Sequence, residues 1–284
     1  MKKIFTVITF GVLLSSCKQT DKPVSDKKEI SNDSIKTEQS IETAQSELEL
    51  TELFSKNKNE VILKLKSLSD KEANALYEKY FEENGYLIGK IAEKETKVLD
   101  NFYSDNEADK KNVKLLEEDF AKHQLKIEEV GEGYVEVTTT NDFYYNLFKD
   151  YVTKDYKDFL YLKSEENKTM YSGDAALAIS FKDLGDRIIS WENFMTKYPD
   201  SKLIKAVKED HKRYQMDYLI GMDNTPTVER AGEENYIYPE NIQEFDRFLK
   251  KYPKSPTVYL IHLLKENFKN EKLYDILTSE QNKS

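Results

Sequence analysis

The chain has 284 residues, of which 34% are charged and 12% aromatic, and a formal net charge of −10 at pH 7. This length is enough for one or two domains with hydrophobic cores, which the many Tyr and Phe side chains would fill. The acidic balance argues against nucleic acid or an anionic membrane surface as a direct partner, because both are negatively charged. The single cysteine excludes an intramolecular disulfide and a cysteine metal site.

The first residues have the order of a secretory signal. Lys2 and Lys3 are basic, and residues 4–14 form an apolar run. As a helix, this run would reach roughly 16 Å at about 1.5 Å per residue, about half of a ~30 Å hydrocarbon core, so it cannot span a bilayer. A short apolar run behind positive charge and ahead of small residues predicts a signal peptide over residues 1–16.

The stretch Leu14-Ser15-Ser16-Cys17 resembles the lipobox of bacterial lipoproteins. The resemblance implies that Cys17 becomes the first mature residue and carries a diacylglycerol and an N-acyl chain of the palmitate type. Each buried methylene contributes about 0.8 kcal/mol, so such chains would hold the protein stably on a membrane. Lys18, where inner-membrane lipoproteins carry Asp, implies the outer membrane, with its periplasmic or surface face left open. The alternative is an ordinary cleaved signal with a chance cysteine at its boundary.

The composition of residues 17–46 predicts a lipidated, disordered tether. The segment is rich in Lys, Glu, Asp, Ser, Thr and Gln and has no aromatic residue. It therefore cannot bury enough apolar area to offset the loss of chain entropy. A flexible segment of this length spans about 30 Å. Within it, Asp33-Ser34-Ile35 resembles an O-glycosylation tripeptide of exported bacterial proteins, which would place a glycan on Ser34.

The apolar pattern of residues 47–130 predicts an N-terminal helical domain. Apolar residues recur there with the 3.6-residue period of amphipathic helices. Ser69 followed by Glu72 is a capping-box sequence, and Gly85 is expected to end the helix that begins there. A further stripe from Val113 to Leu125 predicts another long helix.

The next region, 131–284, is expected to be a second, helical-repeat-like domain. Gly131 and Gly133 interrupt the helical pattern, and the β-branched alternation that follows predicts a minor β element near 133–140 at the domain border, a linker or a small hairpin. Helical spacing then resumes, and Ser180 with Asp183 three residues later predicts another helix start.

Two stretches, FMTKYPDS at 194–201 and FLKKYPKS at 248–255, share the form Phe-x-x-Lys-Tyr-Pro-x-Ser and lie 54 residues apart. Proline disfavours the α conformation of the residue before it, so a helix is expected to stop at each tyrosine. The serine can then accept a backbone N–H at the next helix start. Each copy predicts a helix, a corner and a helix, and the structural residues are Tyr198, Pro199, Ser201, Tyr252, Pro253 and Ser255.

These corners resemble those of tetratricopeptide-like helical hairpins in bacterial envelope proteins, such as outer-membrane assembly lipoproteins and the repeat protein of the Tol-Pal system. The resemblance implies an all-α fold, with antiparallel helical hairpins in a right-handed stack. The spacing of 54 residues departs from the usual repeat of about 34. The alternative is a pair of unrelated helices that share the same corner chemistry.

Motifs for catalysis, metal binding or a cofactor are absent from the sequence. His123, His211 and His262 are far apart, and none has a second histidine three or four residues away as an H-E-x-x-H-type metal face would, so no metal site is expected. The chain has no nucleophile elbow or P-loop and few glycines. Paired carboxylates are too common in an acidic chain to indicate acid–base catalysis. We therefore expect no enzyme activity and no cofactor.

The segment 221–239 is a candidate binding loop, because it is longer than most structureless connections within a domain. Its candidate residues are Asp223, Asn224, Thr225, Glu229 and Arg230. The alternative is that the Asp and Asn side chains only satisfy the backbone of a turn.

Three functions remain open. The favoured one is a lipid-anchored helical module or scaffold of the cell envelope that binds a protein or peptide partner. The second is an envelope protein that binds a small molecule or cell-wall fragment through the 221–239 loop. The third is an enzyme with dispersed acidic groups, which would require a deep pocket with converging carboxylates.

Overall fold

The computed structural model describes residues 49–230 and 234–283, which belong to one compact unit, Leu48–Ser284. The predicted all-α class is confirmed, because these residues form eleven helices and only short two-stranded sheets. The predicted signal peptide, the lipidation site Cys17, Ser34 and the 17–46 tether lie outside the described residues. No described helix combines the length and the apolar character that crossing a bilayer requires.

The helices and strands follow one another in two helical regions separated by a β-hairpin. The helices are α1 (Leu50–Leu65), α2 (Asp70–Lys94), α3 (Thr96–Leu99), α4 (Glu107–Lys122), α5 (Phe143–Phe148), α6 (Lys154–Glu166), α7 (Phe181–Lys197), α8 (Ile204–Ile220), α9 (Pro239–Lys251), α10 (Thr257–Asn267) and α11 (Leu273–Gln281). The strands are β1 (Leu125–Gly131), β2 (Tyr134–Thr139), β3 (Ser172–Gly173), β4 (Ala176–Leu177), β5 (Gly221–Met222), β6 (Thr225–Pro226), β7 (Val228–Glu229) and β8 (Tyr236–Ile237).

Capping side chains begin the helices where the sequence predicts. Ser69 and Glu72 form the expected capping box of α2, and the Ser180 side chain accepts the backbone N–H of Asp183 at the start of α7. The predicted end of α2 at Gly85 is wrong, since the helix continues to Lys94. A glycine costs a helix only about 1 kcal/mol relative to alanine, and burial of apolar residues beyond it, such as Ile91, offsets that cost.

The minor β element is one strand of a hairpin. Strand β2 pairs antiparallel with β1, and the register places Leu125 opposite Thr139. Leu125 was expected to continue a helix, but α4 ends at Lys122 and Gln124 has a left-handed φ of 61°, which reverses the chain. Leu125 instead begins β1 as a buried residue. The predicted domain border at 131 lies in the turn of this hairpin.

Two clusters of buried apolar side chains form the core. The first extends from Phe54 to Leu160 and the second from Leu184 to Leu277. Phe159 and Leu203 pack against both clusters. The change from one cluster to the other therefore falls between α6 and α7, beyond the hairpin at which the sequence suggests a border.

The two Phe-x-x-Lys-Tyr-Pro-x-Ser stretches fold as predicted, and their geometries match. Tyr198 ends α7 with φ −132° and ψ 59°, and Tyr252 ends α9 with φ −127° and ψ 53°. In each corner the serine Oγ accepts the backbone N–H two residues later, at 3.2 Å for Ser201 and 3.1 Å for Ser255. Helices α7 and α8 pack together after the first corner, while α9 and α10 pack together after the second. The right-handed stack stays a prediction.

Side chains of the corners bind carboxylates of a neighbouring helix in the same way. Tyr198 Oη and Lys197 Nζ both donate to Asp158 Oδ2, each at 2.7 Å. Tyr252 Oη donates to Asp186 Oδ1 at 2.7 Å, and Lys251 Nζ lies 3.4 Å from the same atom. The Lys-Tyr pair therefore has the same role in both corners. It binds a carboxylate on the helix beside it, which accounts for the recurrence of both residues.

Candidate functional site

Short β-hairpins follow one another at one edge of the helical region. Strand β1 contacts β3, and β4 contacts β5. The approach is close, because a Cβ atom on Gly131 would lie 3.0 Å from the backbone nitrogen of Asp174 and 3.1 Å from Cα of Gly173. Gly131 also has a φ of +96°, which only glycine adopts readily. We name these contacting hairpins, residues 125–139, 172–177 and 221–226, the hairpin row.

A cleft of about 370 Å³ opens between the first hairpin of this row and helices α6, α7 and α8. We name it the arginine cleft. Its lining combines acidic, basic, aromatic and apolar side chains, which are Glu128, Glu129, Val130, Lys163, Glu166, Asn167, Thr169, Met170, Tyr171, Ser172, Arg187, Arg213 and Tyr214.

Glu166, at the end of α6, is the best-connected group of the cleft. Its side chain is only 11% exposed. It accepts hydrogen bonds from Trp191 Nε1 at 2.6 Å and from Tyr214 Oη at 3.1 Å, and Lys163 Nζ lies 3.3 Å from it. A buried carboxylate requires such partners, because its charge has lost the water that would otherwise solvate it. Glu166 therefore fixes the side chains of three helices around the cleft.

Arg187, on α7, lines the cleft with a side chain that is also only 11% exposed. Its Nε lies 3.6 Å from Glu166 Oε1, which is an ion-pair distance but too long for a hydrogen bond. Its guanidinium carbon lies 5.3 Å from the ring centre of Tyr171 and 5.5 Å from that of Tyr214. Within the described part of the chain, this guanidinium makes no hydrogen bond.

The other cations of the cleft are engaged by Asp210 of α8. Lys163 Nζ lies 2.7 Å from Asp210 Oδ2, and Arg213 Nη2 lies 3.0 Å from Asp210 Oδ1. Burial lowers the pKa of Lys163, but the negative charges of Glu166 and Asp210 outweigh it and leave that pKa raised. Lys163 and Arg213 are thus hydrogen-bonded to a carboxylate, whereas Arg187 meets Glu166 only at the ion-pair distance of 3.6 Å.

The negative charge of Asp217, a carboxylate beneath the cleft, is only partly offset by its neighbours. Asp217 Oδ2 accepts a hydrogen bond of 2.7 Å from Tyr171 Oη. Burial raises the pKa of Asp217 above its usual value, although the Tyr171 hydrogen bond and the charge of Arg213 act against that rise. The same hydrogen bond fixes the Tyr171 ring against which Arg187 packs.

The predicted binding loop 221–239 is not structureless. Strands β5 and β6 pair in one hairpin, and β7 pairs with β8 in a second. Gly221 makes the first turn possible, because it has a φ of +79° and a Cβ atom there would lie 2.1 Å from the Thr225 carbonyl oxygen. A second cavity, of about 380 Å³, is lined by Ile220, Gly221, Met222, Asp223, Pro226, Val228, Glu229 and Arg230.

Two candidate residues of that loop bind the neighbouring hairpin. The Asn224 backbone N–H donates to the Ala175 carbonyl at 2.9 Å, and Asn224 Nδ2 donates to the Asp174 carbonyl at 2.5 Å. Thr225 Oγ1 accepts the backbone N–H of Leu177 at 3.0 Å. These contacts join the β3–β4 hairpin to the β5–β6 hairpin and give both residues a structural role in the hairpin row.

The other candidates lie around the second cavity. Glu229 accepts a hydrogen bond of 2.6 Å from Tyr238 Oη. The Arg230 guanidinium lies 3.3 Å from the Phe268 carbonyl and 3.4 Å from that of Asn270, beyond the end of α10. Asp223 is exposed at the tip of the β5–β6 hairpin.

The histidines do not converge. His123 Nδ1 lies 2.7 Å from Ser55 Oγ, and His211 Nε2 lies 3.3 Å from Glu192 Oε1. Glu192 also accepts hydrogen bonds from Ser255 and Thr257 at the second corner. Within residues 49–230 and 234–283, no group of three or more His, Cys, Asp or Glu side chains is placed to hold a metal ion.

The arginine cleft was missed in the sequence, although one signal was present. The chain has 43 basic residues, and only four of them are arginines: Arg187, Arg213, Arg230 and Arg247. Each makes specific contacts with aromatic rings, carboxylates or carbonyls. In a chain whose positive surface charge comes almost entirely from lysine, a rare arginine indicates a site that needs a planar donor group.

Comparisons with known proteins give no further guide, since no family model, curated protein or solved structure matches this chain. The geometry of the cleft and the pattern of the sequence therefore carry the functional argument.

Proposed function

We propose that this chain is a non-catalytic, helical binding or scaffold module of a bacterial cell envelope, and that it holds a protein or peptide partner. The observation that carries this proposal is the arginine cleft, which is open, about 370 Å³ in volume and lined by aromatic, apolar and charged side chains. Ligand sites in proteins combine a few placed polar groups with apolar walls in this manner.

The hydrogen bonds and ion pairs of the carboxylates in and beside the cleft favour ligand binding over catalytic turnover. Glu166 and Asp210 each contact more than one donor or cation. A general acid or base must exchange its proton with a substrate, which is hindered when other side chains hold the carboxylate. Fixed partners suit a preorganised recognition surface.

Location in the envelope is proposed from the lipobox resemblance at Cys17. The lipid chains would anchor the protein, and residues 18–46 would allow the helical body to stand clear of the headgroups. Mass spectrometry of the native chain tests this part directly. An acylated N-terminal Cys17 supports the anchor, whereas an intact Met1 or an unmodified Cys17 contradicts it.

Site-specific crosslinking in intact cells tests the binding role. A photoreactive amino acid at Met170, which is 40% exposed and lines the cleft, is expected to give a defined adduct. The same group at Leu63, which is 64% exposed on α1 away from the cleft, is the control and is expected to give none. Equal adducts from both positions, or none from Met170, would contradict a partner at the cleft.

The second cavity supports an alternative function, the binding of a small molecule or cell-wall fragment at 221–239. Its lining includes the exposed Asp223 and Arg230 beside apolar Met222 and Val228. A ligand that prefers the folded state raises the melting temperature by mass action. Wall fragments are screened by their effect on the melting temperature. A fragment that raises the melting temperature of the native chain, but not that of an Arg230→Gln variant, would favour this alternative.

A further inference from the structure

We infer that the arginine cleft recognises a carboxylate group of a peptide, through the guanidinium of Arg187. This inference rests on the proposed function and specifies the chemistry of its ligand. The carboxylate comes either from an acidic side chain or from a peptide C-terminus, because both present the same two oxygens.

Arg187 has hydrogen-bonding capacity that the fold does not use. A guanidinium carries five N–H donors. The Arg187 side chain is 11% exposed, and its Nε comes no closer than 3.6 Å to Glu166 Oε1. Its nitrogens are not among the fully buried, unpaired side-chain atoms of the described residues, so its free donors are open to the solvent of the cleft. Its donors line the cleft, so a ligand that enters the cleft meets them first.

The guanidinium of Arg187 is held in place before a ligand arrives. The rings of Tyr171 and Tyr214 lie on its flank, with centres 5.3 Å and 5.5 Å from its central carbon. Both rings are themselves fixed, since Tyr171 donates to Asp217 and Tyr214 donates to Glu166. A preorganised fork loses little conformational entropy when it binds, which favours affinity.

The charges around the cleft favour a ligand with a single negative charge. Lys163 and Arg213 share Asp210, so their positive charges are partly compensated. Three glutamates, Glu128, Glu129 and Glu166, also line the cleft and equal its three cations in number, so they would repel a dianion. A carboxylate adds one negative charge and matches the planar guanidinium with two parallel hydrogen bonds, whereas a phosphate adds more charge than the remaining donor group can offset.

The size of the cleft suits a small part of a peptide. Small-molecule sites occupy about 300–1,000 Å³, and the cleft, at about 370 Å³, lies at the small end of that range. Its apolar lining includes Val130 and the half-exposed Met170, which would contact the aliphatic part of a ligand. A peptide end or a single acidic side chain fits this space, and the rest of the partner would extend over the hairpin row.

Trp191 provides a local readout, because it is the only tryptophan of the chain and its Nε1 donates to Glu166 at 2.6 Å. The full chain is titrated with acetyl-Ala-Ala-Ala as the free acid and as the amide, which tests a C-terminal carboxylate. Acetyl-Ala-Glu-Ala-amide and its Gln counterpart test a side-chain carboxylate, and inorganic phosphate tests a simple anion. The expected result is a saturable change in Trp191 fluorescence with at least one acid and with neither amide control.

Two variants assign the effect to Arg187. Arg187→Lys keeps the charge but loses the planar fork, and it is expected to weaken binding of the responding acid by about tenfold or more. Arg247→Lys is the matched control, since Arg247 also contacts a glutamate and a tyrosine ring but does not line the cleft, and its affinity should equal that of the unchanged protein. Near-ultraviolet circular dichroism confirms that both variants are folded.

Several outcomes would overturn the inference. These are equal responses to acid and amide, a response to phosphate alone, no response to any peptide, or equal weakening by both arginine variants. An adduct at Met170 together with any of these results would leave the binding function intact and reject only the carboxylate. Loss of the adduct as well would reject the binding function itself.

Discussion

Arg187 and Arg247 lie on helices α7 and α9, which pack together, and each faces a glutamate and a tyrosine ring. Arg247 donates to both oxygens of Glu244, at 2.6 Å and 2.7 Å, and to Asp186 at 3.2 Å. Arg187 approaches Glu166 no closer than 3.6 Å. Arg247 is therefore held by three hydrogen bonds within the fold, while Arg187 still has its donors to offer.

This difference separates a structural ion pair from a recognition group. A guanidinium whose donors are held by carboxylates of the fold contributes to stability and has fewer donors left for a ligand. A guanidinium that meets its carboxylate only at ion-pair distance contributes less to the fold and keeps its donors for a partner. The same contrast extends to the carboxylates nearby, because the pKa of Asp186 is lowered beside Arg247 and the pKa of Asp217 is raised beneath the cleft.

The largest expected effect is on the free energy of unfolding when Arg247 is removed. Among the described residues, Arg247→Met leaves Glu244, whose side chain is 9% exposed, with the Tyr218 hydroxyl as its one remaining hydrogen-bond donor. We expect a loss of about 2–3 kcal/mol, measured by urea denaturation. Arg187→Met should cost less than about 1 kcal/mol, because Glu166 keeps its other donors. Equal losses would remove the distinction between the two arginines.

The pH dependence of stability gives the next effect. Burial raises the pKa of Asp186, but Tyr252, Lys182 and Arg247 outweigh it and lower that pKa to about 2. Its contribution is therefore complete above the ordinary aspartate pKa of about 3.9 and is lost as the pH falls through about 2. Asp186→Asn should cost about 1 kcal/mol at pH 5, allowing for solvent screening, and less at pH 2.5. A urea midpoint difference that is the same at both pH values would contradict this assignment.

The next prediction compares the two corners, because the same substitution can be made in each. Tyr198→Phe and Tyr252→Phe each delete one hydroxyl that donates to an aspartate, at 2.7 Å in both cases. Each variant should lose about 1 kcal/mol in urea denaturation. The corners are equivalent if the losses agree, whereas a loss at only one of them would show that the shared sequence does not give a shared role.

The smallest effect has the opposite sign. Because burial raises the pKa of Asp217, the folded state holds its proton more tightly than the unfolded chain does, and stability falls as the pH rises from about 3.9 through the folded pKa. Asp217→Asn removes this fall and keeps an acceptor for Tyr171. We expect the variant to be slightly more stable than the unchanged protein at pH 7, by less than about 1 kcal/mol. A variant that is less stable at pH 7 would contradict the raised pKa.

Local chemistry made much of the helical fold predictable. Ser69 and Ser180 begin helices through their own side chains, and Tyr198-Pro199 and Tyr252-Pro253 end them through proline sterics. These rules act over a few residues, so the sequence contains them in full.

Other features depend on contacts between distant residues. Gly85 lies inside a helix because the apolar residues beyond it are buried, and Leu125 joins a strand because β2 pairs with it. Arg187 occurs in an apolar stripe between Leu184 and Trp191, and its burial comes from packing against Tyr171 and Tyr214, which are distant in sequence. The rarity of arginine is the one signal in the sequence that could have indicated the site.

The most direct test of the account is the side-chain Nε–Hε resonance of Arg187 in a ¹⁵N-labelled protein, assigned with the Arg187→Lys variant. Each peptide acid that changes Trp191 fluorescence is titrated alongside its amide counterpart. The account predicts a saturable shift of the Arg187 resonance with the acid, none with the amide, and no shift of the Arg247 resonance with either. An unchanged Arg187 resonance, or equal shifts with acid and amide, would contradict carboxylate recognition in the cleft.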